Sequence, residues 1–192
     1  MIAGLALGYA LGSIPFGLVL THLSGGGDIR NIGSGNIGAT NVLRTGRKGL
    51  AALTLLLDLL KGFFAVWLAV RFLPGAEIMA AAGAFFGHLY PVWLRFKGGK
   101  GVATYAGILF GLFWQLGLVY AVVWITTLVL ARISSLAGLL AAVSAPVAAA
   151  YFGHYELVAM LVACTLIIFW KHRSNIENLM DGTEPHIGKS KS

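Results

Sequence analysis

The chain has 192 residues, 58% of them hydrophobic and only 11% charged, which leaves too little polar surface to enclose a water-soluble core of this size and excludes a soluble domain. Lys and Arg number 14 against 7 Asp and Glu, for a net charge of +7; that excess suits nucleic acid, anionic lipid or an anionic substrate, according to where the cations sit. The one cysteine, Cys164, excludes an internal disulfide and an all-cysteine zinc site.

Lipid offers no partner to bare backbone groups, so each crossing of its roughly 30 Å apolar layer needs about 20 mostly apolar helical residues. In chain order, 2–21, 50–73, 78–94 and 133–151 are expected to cross, with 157–170 as a shorter fifth. The first lacks a basic leader and a small-residue cleavage site, so it is expected to be a retained helix and not a signal peptide. Gly4, Gly8 and Gly12 recur along it at four-residue spacing and predict close approach of a second helix; Gly83 and Gly87, and Gly107 and Gly111, predict the same. Asp58 and Lys61, at i and i+3 in the second stretch, read as a structural ion pair or, alternatively, as part of an ion pathway.

The stretch 101–131 is too long for one upright helix, at about 46 Å for 1.5 Å per residue. Were it to cross once, Arg132 and the tail from Lys171 would lie opposite residues 97–100. Crossing twice, with a turn near Trp114-Gln115-Leu116-Gly117, brings every Lys and Arg except Lys61 and Arg71 to one face. The positive-inside rule makes that face the cytoplasm. The expectation is an all-α integral membrane protein with seven transmembrane helices, N-terminus outside and C-terminus cytoplasmic, as one polytopic domain over 1–192.

Three polar segments then share the cytoplasmic side: 24–49, 95–104 and 171–192. The first is much longer than a helix connection needs. Its Gly33-Ser34-Gly35-Asn36-Ile37-Gly38 run matches G-x-G-x-x-G formally, but it follows a membrane helix and has no βαβ unit, which excludes a dinucleotide fold. Its glycines let backbone N–H groups converge on an anion, Ser34, Asn36, Thr40 and Asn41 add donors, and Arg44, Arg47 and Lys48 add charge; the competing reading is a flexible basic loop drawn to anionic lipid. The second, Gly87-His88-Leu89-Tyr90-Pro91 followed by Phe96-Lys97-Gly98-Gly99-Lys100-Gly101, is no Walker A loop, yet two lysines among glycines at a helix entrance suit a phosphate. The third brings His172, Asn175 and Glu177 within six residues, and His172, Asn175 and Ile176 share a face if the helix continues.

No nucleophile elbow, no H-E-x-x-H and no metal-spaced ligand set occurs, so no metal or other cofactor is expected. Residues 33–41, Gly87-His88 through Pro91 with 96–104, and 175–179 with Gly182-Thr183-Glu184 closely resemble the three signatures of the PlsY family, bacterial acyl-phosphate-dependent glycerol-3-phosphate acyltransferases; Asp58-Leu59-Leu60-Lys61-Gly62 resembles that family's second-helix pattern.

The resemblance implies seven helices in the cell's inner membrane, a cytoplasmic site, and transfer of a fatty acyl group from acyl-phosphate to the 1-hydroxyl of sn-glycerol 3-phosphate, giving lysophosphatidic acid and phosphate in phospholipid biosynthesis. An acyl-phosphate is already activated, so neither an enzyme nucleophile nor a coenzyme A pocket is required. The run Gly33, Ser34, Gly35, Asn36 and Gly38, with Asn41, is expected to hold the acyl-phosphate head. Arg44, Lys100, His172 and Asn175 are expected to hold glycerol 3-phosphate, supported by His88, Lys97, Gly98 and Gly99. Ser34, Lys100, His172 and Glu177 are the expected catalytic residues, with His172, Glu177 or the substrate's own phosphate as base. Ser135 is expected either to complete the site or to cap a helix. Partners are the two substrates, membrane lipid and, through its product, a soluble acyl-phosphate synthase, but not nucleic acid. The rival from another class is an anion transporter. It is disfavoured because the polar loops share one side and no inverted repeat is visible; a non-catalytic lipid-binding scaffold would leave the Gly, Asn and His clusters unexplained.

Overall fold

The computed structural model describes residues 1–188; Lys189 and Lys191, counted above among the inner cations, lie outside them. The described residues are helical, without strands. The chain divides into two units, Met1–Leu112 and Phe113–Ser192.

The first unit contains α1 (Ile2–Gly12), α2 (Phe16–Leu23), the short α3 (Ala39–Leu43), α4 (Lys48–Phe72), α5 (Glu77–Leu89) and α6 (Val102–Leu112). Its packing follows the glycines. Gly4, Gly8 and Gly12 lie against Ala76, Ala80 and Ala84, where a Cβ on Gly8 would overlap the Ala80 carbonyl, and Gly83 and Gly87 return the contact against Leu5 and Tyr9. Gly62, Gly107 and Gly111 do the same between α4 and α6. In lipid, small residues let helices approach closely enough for dispersion to hold them. The outward surface is correspondingly large and apolar, with Leu56, Trp67 and Val70 exposed on α4.

Two expected helices are broken. The span Ile2–Leu23 is interrupted at Ser13-Ile14-Pro15, because Pro15 has no N–H to continue the ladder. The carbonyls bared there are satisfied from elsewhere: Trp93 Nε1 donates to Ser13 O at 2.8 Å and Lys61 Nζ to Ile14 O at 2.7 Å. The stretch 78–94 is not one helix as expected. It ends at Leu89, since the residue before Pro91 is pushed out of the helical region, and a 3-10 turn at Val92–Leu94 follows, with Arg95 and Phe96 left-handed.

The second unit contains α7 (Trp114–Ala131), α8 (Ser134–Tyr151), α9 (Tyr155–Lys171) and α10 (Arg173–Met180). Residues 101–131 thus form two helices. The break falls at Phe113, which is extended at φ −147° and ψ 118°, just ahead of the expected turn. In α8, Pro146 cannot donate to the carbonyl four residues back, and the Thr165 hydroxyl of α9, shared with Leu161 O at 2.8 Å, reaches that same Ala142 oxygen at 2.8 Å. The α8 core is built from Ala137, Ala141, Ala142, Ala145 and Ala149, while α7 exposes Val122, Ile125, Val129 and Leu130.

Among the described residues, four stretches, Ile2–Leu23 (α1 with α2), α4, α7 and α8, can cross a membrane by length and composition, five with the α9–α10 pair, which bends by 63°. Helices α5 and α6, with 13 and 11 residues, are shorter than one full crossing.

Candidate active site

The 24–49 segment is a folded element and not a flexible loop. Ile29 and Val42 are fully buried and, with Ala51, gather Leu18, Ile32, Leu43 and Leu50 into a small core. Above it Asn41 organises the backbone. Its Nδ2 donates to the carbonyls of Ile29, Ile32 and Asn36 at 3.0, 2.9 and 2.8 Å, and its Oδ1 accepts from the Ser34 N–H at 3.0 Å and the Ser34 hydroxyl at 3.3 Å. Asn36 Oδ1 accepts from the Gly38 N–H at 3.0 Å, a local turn of the kind asparagine favours. Arg47 clamps the far end through the Ser24 carbonyl and hydroxyl at 2.9 and 2.7 Å. Gly33 is left-handed at φ 57°, and a Cβ there would press on Asn41 and the Arg44 stem, so both conformation and space demand glycine. Asn41 thus organises the loop, its amide buried and engaged on both sides. Gly33, Ser34, Gly35 and Arg44 remain exposed, and Asn36 and Gly38 are partly so.

The second segment folds back on the end of α5. The Gly98 N–H donates to Leu89 O at 3.1 Å and the Gly99 N–H to His88 O at 3.0 Å. A Cβ on Gly98 would overlap the His88 carbonyl, and one on Gly99 the His88 imidazole. Neither glycine has a positive φ; what the two provide in this fold is room for His88. His88 itself is buried. Lys97 is exposed and Lys100 half-buried.

In the second unit Glu184 is the centre. It is 7% exposed; its Oε1 accepts from Ser135 Oγ at 2.7 Å and Asn175 Nδ2 at 2.7 Å, and its Oε2 from Asn178 Nδ2 at 3.1 Å. Three neutral donors on one buried carboxylate tie the tail to the start of α8. Ser135 spends its hydroxyl on Glu184 and does not cap α8. Glu184 received no role from the sequence, although it closes the third signature; a carboxylate followed by Pro185 was the available signal. The helix does not continue through His172, which stands between α9 and α10. That residue is buried, and its Nδ1 lies 2.8 Å from Ile168 O. A carbonyl can only accept, so Nδ1 carries the hydrogen and Nε2 is the basic nitrogen of the neutral ring. Glu177 is exposed. The apolar groove of about 300 Å³ lined by Val119, Val147, Tyr151 and Phe152 lies at the opposite end of α8 from Ser135.

Fold and segments define an all-helical integral membrane protein with ordered, cation-bearing polar elements at its helix ends. A family profile described as glycerol-3-phosphate acyltransferase matches residues 2–182. Curated proteins named glycerol-3-phosphate acyltransferase are similar over nearly the whole chain: one from Rhodopseudomonas palustris (strain BisB5) is 58% identical, covering 99% of this chain and 97% of its own, and one from Erythrobacter litoralis (strain HTCC2594) is 60% identical, covering 95% and 92%. A crystal structure of PlsY, an integral membrane glycerol 3-phosphate acyltransferase, in its glycerol 3-phosphate form superposes with a TM-score of 0.92 at 37% identity, covering 97% of this chain and 95% of that one; its lysophosphatidic acid form gives 0.89 at 35%. The chain belongs to the glycerol-3-phosphate acyltransferase family and is an acyltransferase of the membrane.

Proposed function

We propose that the protein moves a fatty acyl group from an acyl-phosphate to the 1-hydroxyl of sn-glycerol 3-phosphate at the cytoplasmic face of the inner membrane. The observation that carries this is the whole-length similarity to a PlsY structure in its glycerol 3-phosphate form, joined to an intact set of polar segments here. Both substrates are phosphates, so exposed Arg44 and Lys97, half-buried Lys100 and the exposed Ser34 loop supply what two anions need. Seven crossings are supported by the break at Phe113, because two helices from 101–131 keep the parity that puts the cationic loops on one side.

Ser34 with Gly33, Gly35, Asn36 and Gly38 would hold the acyl-phosphate head, and Arg44, Lys100, His172 and Asn175 the glycerol 3-phosphate. The substrate hydroxyl oxygen attacks the acyl carbonyl carbon as a base takes its proton, the carbon–oxygen bond to phosphate breaks, and inorganic phosphate leaves. Of the two side chains proposed as base, His172 is preferred over Glu177: its tautomer is set by Ile168, whereas Glu177 is exposed. A soluble enzyme that makes acyl-phosphate would supply the donor.

The test is purified protein with labelled glycerol 3-phosphate and either acyl-phosphate or acyl-CoA. Lysophosphatidic acid is expected from acyl-phosphate alone. Product from acyl-CoA alone would reassign the donor, and no product with either, together with phosphate uptake by vesicles, would turn the assignment to transport.

A further inference from the structure

Thr54, Asp58 and Lys61 recur at i, i+4 and i+7 on α4 and so share one face; all three are buried. Charge inside a membrane protein is costly unless paired. Lys61 Nζ lies 2.6 Å from Asp58 Oδ1, with side chains only 2% and 4% exposed. The pair reaches in two directions. Lys61 donates to Ile14 O at the break before α2, and α2 carries Gly17, on which the Ile37 carbonyl of the glycine-rich loop and the Thr54 methyl both rest. Asp58 Oδ1 lies 3.8 Å from His88 Nδ1, and His88 is the surface on which Gly98 and Gly99 are seated.

We propose that the Asp58–Lys61 pair is a positioning device for acyl transfer. From one face of α4 it sets the loop bearing Ser34 and Arg44 and the turn bearing Lys97 and Lys100 in fixed relation. Both residues act through the segments they support. The inference rests on the acyltransferase assignment of those two segments.

A positioning pair and a merely structural pair respond differently to removal of both charges. Taking away one partner leaves a buried charge and destabilises; replacing both by apolar residues is often neutral for stability. The experiment compares wild-type protein, Asp58→Leu, Lys61→Met and the double variant, reading melting temperature, kcat, and KM for glycerol 3-phosphate. Both single variants are expected to melt earlier. The double variant is expected to recover a near-wild-type melting temperature while kcat stays down by about ten- to a hundredfold, the loss that a displacement of about 1 Å brings. A double variant equal to wild type in kcat would overturn the proposal. Should it fail to accumulate, Asp58→Glu decides: it keeps the ion pair but lengthens the arm toward His88, so a normal melting temperature with lowered kcat is expected, and full kcat would overturn it. Inactive wild-type protein would instead bring down the functional assignment itself, so the two failures are distinguishable.

Discussion

Arg44 and Asn41 stand three residues apart in one loop and do different work. Arg44 is exposed, with its stem against Gly33, and its guanidinium suits a phosphate better than a lysine ammonium would. Arg44→Ala is expected to lower kcat/KM for glycerol 3-phosphate by roughly ten- to a hundredfold, the worth of a hydrogen bond to a charged group, while membrane accumulation stays normal; Arg44→Lys should recover only part. Near-wild-type turnover in Arg44→Ala would remove it from the phosphate site. Asn41→Asp keeps an acceptor for Ser34 but deletes the donors to three carbonyls. The expected cost is roughly 1 to 3 kcal/mol of local stability, read as faster proteolysis within residues 25–46 and loss of activity. Both asparagine and arginine were legible as polar loop residues. Their division of labour was not, because donors look alike until the atoms they face are known.

At the scale of elements, helices end or bend where a backbone group loses its partner, and in lipid a side chain must replace that partner. Lys61 and Trp93 do this at Pro15, and Thr165 does it for Pro146. Thr165→Val preserves shape and removes only the hydroxyl, so a loss of about 0.6 to 2 kcal/mol is expected, measured as an earlier melt in detergent. An unchanged melting temperature would show that the Ala142 carbonyl does not depend on Thr165, whose hydroxyl also meets Leu161 O. The glycine ridges of α1, α5 and α6 were readable from four-residue spacing, since that spacing repeats on one helix face. The end of α5 at Leu89 was hidden in a continuous apolar run, where hydropathy does not report local φ and ψ.

For the whole molecule, the testable statement is sidedness. In a Cys164→Ser background, Pro74→Cys and Tyr155→Cys are expected to react with a membrane-impermeant thiol reagent added outside intact cells, whereas Lys48→Cys and Asp181→Cys should react only after permeabilisation. Labelling of Asp181→Cys from outside would break the seven-crossing parity. Charge distribution carries this expectation together with the break at Phe113, because the cations cluster in alternate connections.

Composition by itself determined a membrane protein, for 58% hydrophobic and 11% charged residues admit no water-soluble surface. The ordered motifs determined the family, since local glycine, asparagine, histidine and lysine spacings survive in one dimension. Only the tertiary structure decided which polar residues face outward and which hold the others. The Ser135–Glu184 bond joins residues 49 apart and the Lys61–Ile14 bond residues 47 apart. Such pairings depend on how helices pack, and no local pattern of residues encodes them.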